Sequence, residues 1–531
     1  MGNTLDRRQF LTHSAAASGV LAAGALAGQL AATPAGAVTE GGTLKVGVIS
    51  EQRKPFSPDY ANMDTSGFMY ARAVFDPLCV VSADGATVYP YLAKSVTHNA
   101  TYNEWTITPR SGIKFHDGTP CTGKSIYQNL LACYNSLLTG KAFKALISSI
   151  SYVSHTDQVV VRTRYKWTTF PYSLASQQTG FIAAPSTLGA GYKGNPIGTG
   201  PFIYSNWNYN TSFRLDRNPK YWRSPLPHLD HIEFHPVPDE QTRWTELTDG
   251  VLDLIHTGDG GTIKRFPHGF NTWSDVAGRP AYAPGSNCVM LNVRKAPFND
   301  LNFRRACAAA IDRTTFAKVS GSGESTAIDG IFLPGSPYYA KPPYPSFSTS
   351  AAKTYLSKSS VSKANRKFTL NCVSGSPGVI EAATLVQGFL KAVGISVTLN
   401  EVSQSVLIGD AIAGSFQATM WSQFGGASPD SNYPWFSAKS GLNFAGNSDP
   451  KIESAMVTAL GATSTAARAK AWSLVNGQLA RDLPYLWLDR AIWGFAAKST
   501  VQNWKGFTDP AGHAVLQPDS GILFFTETWI S

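Results

Sequence analysis

The stretch WSQFGGASPDSNYPW, from Trp421 to Trp435, sets two tryptophans, Phe424, Tyr433 and a single carboxylate, Asp430, in a loop rich in Gly, Ser and Pro. Aromatic side chains there supply large apolar contact at little rotamer cost and stack on rings, prolines and sugar faces. That is chemistry for gripping a small organic molecule. Covalent chemistry has less to work with. Neither H-E-x-x-H nor G-x-S-x-G occurs, and Gly321-Ser322-Gly323-Glu324-Ser325 lacks the closing glycine of the nucleophile elbow. No catalytic residue is expected.

Three other constellations invite a chemical reading and favour a structural one. Gly198-Thr199-Gly200-Pro201 has no following lysine of the P-loop kind, so it reads as a rigid turn in which glycine conformations and a fixed proline lead into Phe202. His116-Asp117-Gly118 is ordinary turn chemistry, because adjacent side chains on a strand or turn point apart. The run His228-Leu229-Asp230-His231-Ile232-Glu233-Phe234-His235 is the best case for a metal. A strand from about His231 would place His231, Glu233 and His235 on one face, but a rise of about 3.3 Å per residue separates the outer histidines by about 13 Å. One ion with bonds of about 2 Å cannot span them. No metal site and no cofactor are expected.

The elements that position these groups begin after a leader. Residues 1–37 carry Arg7-Arg8-Gln9-Phe10-Leu11, an Ala/Gly/Leu stretch and Ala35-Gly36-Ala37, which reads as a twin-arginine export signal cleaved near Ala37. The stretch from Ala15 to Ala32 is too rich in Ala and Gly to fill hydrocarbon well, so an anchor is disfavoured. The segment has no cysteine to accept a lipid. A soluble protein outside the cytoplasm is expected, periplasmic or at the cell surface. What remains is long enough for two or three domains, and the full sequence, 43% hydrophobic with 12% aromatic residues, is that of a globular chain. Its 45 basic against 35 acidic residues are spread thinly, without the runs that track phosphate backbones, so nucleic acid is excluded as a partner. Six scattered cysteines form no C-x-x-C pair, and their spacing assigns no disulfide.

Strand-like and helix-like patterns alternate, predicting an α/β fold. Gly42 to Ile49 alternates Leu44, Val46 and Val48 as a first strand; Asn103–Thr108 and Asp157–Arg162 read as further short strands. Asp300 should cap a helix bearing Phe303, Ala306, Cys307, Ala310 and Ile311. A second helix, from Ala382 to Val393, stops at Gly394 and feeds a strand, Ile395–Leu399.

Six motifs in order then carry a resemblance. They are Ile113-Lys114-Phe115-His116-Asp117-Gly118-Thr119-Pro120, Asn195-Pro196-Ile197-Gly198-Thr199-Gly200-Pro201-Phe202, Arg217-Asn218-Pro219-Lys220-Tyr221-Trp222, Leu247 to Asp253, Asn299 to Ala306 leading to Ile311-Asp312-Arg313, and Leu483 to Leu488. From Gly41 to about Trp504 the chain resembles the extracytoplasmic solute-binding proteins of peptide and nickel ABC importers, solute-binding family 5. The resemblance implies a two-lobed α/β periplasmic-binding-protein fold closing on ligand by hinge motion. Lobe I is expected over 38–290, with an extra subdomain at about 89–192; lobe II over 291–492; and a return to lobe I over 493–531. The chain should cross near Asn287 to Arg294 and return near Asp489 to Phe495. The implied partners are a small solute, peptide-like by default with a carbohydrate, opine-like or other organic solute as the alternative, and importer permease subunits, the protein itself being a monomer; an exported sensor or chaperone outside transport is the other alternative.

Peptide binders of this family usually read W-x-x-D, the carboxylate pairing with the ligand's ammonium, since a buried ammonium must be met by an anion or several acceptors. Here the tryptophan is Trp421 and the fourth residue is Phe424. The acid is missing from its place, and Asp430 could substitute only if the Gly425-Gly426 turn folds it back. The ligand-binding residues expected are therefore Trp421, Ser422, Phe424, Gly425, Asp430 and Asn287.

Overall fold

The computed structural model describes residues 38–52, 56–61, 63–136, 139–175, 178–189, 191–192, 194–266, 269–276, 285–423, 425–519 and 521–531. The expected export signal and Phe424 lie outside the described residues.

Thr43–Val48 is the first strand, with Leu44, Val46 and Val48 fully buried as their alternation requires. It lies at the centre of a seven-stranded mixed sheet ordered Asn271–Ser274, Gly494–Ala497, Leu254–Thr257, Thr43–Val48, His231–Pro236, Ser212–Arg217 and Phe202–Asn208. Both neighbours of the first strand run parallel to it. Tyr70, from the helix Thr65–Val74, stacks on Phe213 at 4.9 Å and meets Phe234 at 4.5 Å, sealing one face of this sheet. Each such fully buried ring contributes about 1.5–3 kcal/mol.

A second sheet has five strands, ordered Ser396–Val402, Lys367–Val373, Ala418–Gln423, Ser286–Leu291 and Tyr485–Arg490. The expected helix–strand unit is present here as the helix Pro377–Lys391, the turn at Gly394 with φ 87°, and the strand from Ser396. Asp300 accepts from the Phe303 N–H at 2.7 Å and starts the helix Leu301–Ala310, whose Phe303, Ala306, Cys307 and Ala310 are buried. An antiparallel four-stranded sheet, Ala93–His98, Glu104–Pro109, Gln158–Thr163 and Ile147–Val153, contains both short strands expected near 103 and 157.

The chain leaves the seven-stranded sheet after Ser274, enters the five-stranded sheet at Ser286, and returns between Arg490 and Gly494. The first passage thus precedes Asn287, because Ser286–Leu291 is itself an inner strand of the second sheet.

The glycine motif is a turn for a reason other than backbone freedom. A Cβ on Gly198 would lie 2.0 Å from the Val74 carbonyl oxygen and one on Gly200 2.6 Å from it, so the close approach to a helix end demands glycine. His116 locks the same turn, Nε2 donating to the Gly200 carbonyl at 3.0 Å while Nδ1 accepts from the Gly198 N–H at 3.3 Å. All six cysteines are buried free thiols.

Candidate ligand-binding site

Ala418–Gln423 lies between Lys367–Val373 and Ser286–Leu291, with Ser422 opposite Asn287, Trp421 opposite Cys288 and Gln423 opposite Ser286. Strand alternation sends Trp421 and Gln423 to one face and Ser422 to the other. On the Ser422 face a polar row crosses three strands. Ser422 Oγ donates to Asn287 Oδ1 at 2.7 Å, and Asn287 Nδ2 donates to Asp489 Oδ1 at 3.0 Å. Ser422 is exposed and Asp489 is buried, so the row runs from solvent into the protein. Burial pushes the Asp489 carboxyl up to about 6, against the pull of its Asn287 donor.

On the opposite face, the half-buried Trp421 meets Trp435 edge-on at 6.2 Å and Phe444 at 6.0 Å, while Trp435 and Phe444 are 6.1 Å apart. These three rings form a triangle at the sheet end. Beyond it the chain turns sharply, and a Cβ on Gly426 would lie 2.7 Å from Ser431 Oγ. Gly425 is half-buried at the start of this turn, and its N–H lies 3.9 Å from the position a Cβ would take on Gly285.

The turn does fold Asp430 back, but into protein. Its side chain receives the Thr169 hydroxyl on Oδ2 and the Trp472 indole N–H on Oδ1 at 2.8 Å, with Arg468 Nε 3.8 Å from Oδ2. Asp430 is 4% exposed, and burial raises its carboxyl above the ordinary range despite these donors. The sequence suggested a ligand anchor; the structure gives both oxygens protein partners, because Thr169 and Trp472 converge on the turn.

Thr169 belongs to a segment that follows the four-stranded sheet and docks along the second sheet's loops. The Thr168 N–H donates to the Leu460 carbonyl at 2.9 Å, its hydroxyl donates to that of Ala462 at 2.7 Å, and Arg468 Nη2 donates to Thr168 Oγ1 at 2.9 Å. Lys439 Nζ reaches the Tyr165 hydroxyl at 2.7 Å. Elsewhere, a Cβ on Gly260 would lie 2.0 Å from the Gly321 carbonyl oxygen, and Lys264 Nζ donates to the Ser322 carbonyl. Segments flanking the two large sheets are thus pressed together at both ends of the interface. Two surface cavities lie away from it, one of about 390 Å³ beside Arg110 and Asp157 and one of about 730 Å³ walled by Ile380, Leu385 and Phe389.

The structure brings Trp421, Ser422, Asn287 and Gly425 to one end of the second sheet, and it ties Asp430 into the interface. Sequence reasoning missed Gln423, Asp489 and Thr169. Only Gln423 carried a signal, since alternation places it beside Trp421. The histidine stretch forms the expected strand, with Ile232 and Phe234 buried. Its polar face is engaged by carboxylates: His231 Nδ1 lies 2.8 Å from Asp216, His235 Nε2 3.3 Å from Glu233, and His228 Nδ1 2.7 Å from Glu40.

Sheets joined by two passages, with loops meeting across the interface, define the class: a two-lobed α/β periplasmic-binding-protein fold. Residues 87–444 match the bacterial extracellular solute-binding proteins, family 5 Middle, and the chain belongs to that family. It is 29% identical over 297 residues to the nickel-binding periplasmic protein of Escherichia coli (strain K12), covering 54% of each chain. The chain thus spans about half the length of that curated relative. Its fold is similar to that of the oligopeptide-binding protein AppA from Bacillus subtilis in complex with a nonapeptide, with TM-score 0.80, 20% identity, 93% of this chain and 100% of that one covered. It is also similar to the structure of AgaA in complex with agropinic acid from A. tumefacien R10, with TM-score 0.79, 21% identity and 92% and 99% covered.

Proposed function

We propose that this protein is the exported substrate-binding component of an ABC importer, capturing a small organic solute between its lobes and delivering it to the membrane permease. The observation that carries the reading is the Trp421–Trp435 loop, which presents an aromatic triangle at the end of the second sheet and meets the 165–169 segment across the interface. A cleft of this kind buries most of a small ligand against apolar rings and fixes it with a few polar groups. The hinge is assigned to the two passages between the sheets, of which the return at 491–493 lies wholly within the described residues. Export follows from the twin-arginine leader, and no helix among the described residues is long and apolar enough to cross a membrane. Binding without turnover is the activity expected of a monomer that takes up a solute and no nucleic acid.

A peptide-like solute remains the default ligand because the family supplies it. The carbohydrate or opine-like alternative gains support from Asp430, whose partners leave the loop's one carboxylate serving the interface instead of a ligand ammonium. Nickel gains none from the histidine strand, where each ring has a carboxylate partner. Titration calorimetry of the mature protein against peptides, glycosides and opines tests the proposal. One-to-one binding with the ligand recovered intact supports it; multiple turnover would overturn it.

A further inference from the structure

Basic residues are spread thinly along the sequence, but the fold gathers some of them. Between Asp329 and Glu381 the chain carries Lys341, Lys353, Lys358, Lys363, Arg366 and Lys367 and no acidic residue. Hydrogen bonds draw the later part of this stretch to one end of the five-stranded sheet. Lys367 pairs in register with Ser396, whose N–H donates to the Arg366 carbonyl at 2.9 Å. The Gly394 N–H donates to the Lys391 carbonyl at 3.0 Å, which ends the helix Pro377–Lys391 beside the same strand. Arg366 Nη2 donates to the Leu356 carbonyl at 2.8 Å, so the last turn of the helix Thr349–Lys358 joins them.

Lys353, Lys358, Lys363, Lys367 and Lys391 are exposed at this end. Elsewhere Lys264, Lys439 and Lys498 reach carboxylates, whereas none of these five has an ion-pair partner among the described residues. Lys358 and Lys391 sit where a cation favours a helix C-terminus. Lys353 and Lys367 serve no helix end. Asp300, the acid bonded to the turn, is occupied by the Phe303 N–H and by the N–H and hydroxyl of Ser360. Asn371 pairs with Thr419, and strand rise then sets Lys367 about 20 Å from the level of Trp421. A partner at this end leaves the solute loop free.

We propose that these five lysines form an electrostatic docking face for an anionic phospholipid bilayer, which holds the exported protein near the membrane of its permease. The inference rests on the export and transport reading and goes beyond it. The face consists of flexible point charges set among serines and threonines, while Arg366 turns its planar fork inward to Leu356. Such an array suits a diffuse layer of headgroup charge. The surface potential of an anionic bilayer attracts clustered lysines and decays within a Debye length, about 8 Å at physiological salt.

Co-sedimentation of the mature protein with vesicles tests the face, using phosphatidylcholine alone and phosphatidylcholine with about a third phosphatidylglycerol. The mixed vesicles should bind at least tenfold more tightly, and raising salt from about 0.05 M to 0.3 M should reverse that gain. Changing Lys353, Lys358, Lys363, Lys367 and Lys391 to Gln should cost at least tenfold. Changing the exposed Lys94, Lys114, Lys124, Lys220 and Lys470 to Gln removes the same charge elsewhere and should cost no more than about threefold. Melting curves establish folding, and the pair Lys353→Gln with Lys367→Gln repeats the test with a loss of at least threefold should the larger variant be unstable. Equal losses in the two fivefold variants, equal binding to neutral vesicles, or tighter binding to soluble polyglutamate than to mixed vesicles would overturn the face, the last pointing to an acidic protein partner. Native mass spectrometry of the same samples reads solute capture separately, so failure of the face leaves the transport reading standing.

Discussion

Trp472 donates its indole N–H to Asp430 at 2.8 Å, and the Thr169 hydroxyl meets the other oxygen of the same carboxylate. One buried side chain thus joins a helix of the second sheet, the loop that carries Trp421, and the segment that follows the four-stranded sheet. Removing it strands donors that have lost their hydration.

Asp430→Ala should destabilise the protein by about 3–5 kcal/mol, since it leaves Trp472 and Thr169 without their acceptor and takes away the carboxylate 3.8 Å from Arg468. Asp430→Asn, which keeps an acceptor, should cost less and leave ligand affinity within about twofold. Urea unfolding and calorimetry on both variants check this. A large loss of affinity for a free-amino peptide in Asp430→Asn, with stability unchanged, would restore the ligand-anchor role.

Asp489 ends the row from Ser422, and its carboxyl titrates near 6 in the folded protein because it is buried. A folded-state value above the ordinary Asp value of about 3.9 means that its favourable contribution is complete below pH 4, declines through pH 6, and stays lost above it. Asp489→Asn keeps the Asn287 hydrogen bond and removes the charge. Its melting temperature relative to the unaltered protein should therefore rise between pH 4.5 and pH 7.5, with a ceiling of about 3 kcal/mol.

His116 has the opposite sign. Burial holds its imidazole down at about 4, and its two hydrogen bonds to the glycine turn need the neutral ring. Its contribution is complete above about pH 6.5, falls as the unfolded state gains a proton, and levels off below pH 4, a span of roughly 3 kcal/mol. His116→Gln should flatten the loss of stability between pH 6.5 and pH 4, measured by thermal melts across that window.

Gly198→Ala places a methyl 2.0 Å from the Val74 carbonyl oxygen, a contact that backbone must move to relieve. A destabilisation of at least about 2 kcal/mol is expected, in the range for overpacking. Gly118→Ala serves as the comparison: nothing lies within 4 Å of its Cβ position, so its penalty comes from φ 84° alone. Melting curves that rank Gly118→Ala as the more damaging change would contradict the close-approach account.

Much of the local structure was legible because it follows from patterns of two or three residues. The alternation of Leu44, Val46 and Val48, the Asp300 cap and the stop at Gly394 are each properties of a short window. The partners of Asp430 were not, since Thr169 lies 261 residues away and Trp472 lies 42 away. Aromatic content suggests a contact surface in this loop. Only the folded chain decides whether its carboxylate meets a ligand or the protein. Asn287 was placed at the crossing, whereas the crossing comes earlier, because a strand buried inside a sheet and a strand at a hinge carry the same apolar pattern. The glycines of 198–200 were read correctly as a turn and for the wrong physical cause, since proximity to Val74 is a tertiary fact.

Native mass spectrometry of the mature protein, purified gently from its source, tests solute capture most directly. The expected spectrum shows the polypeptide with one small organic molecule bound, released intact on denaturation, and with occupancy reduced at least tenfold in Trp421→Ala. A bare polypeptide that also fails to bind any peptide, glycoside or opine, or one that converts such a molecule over many turnovers, would contradict it.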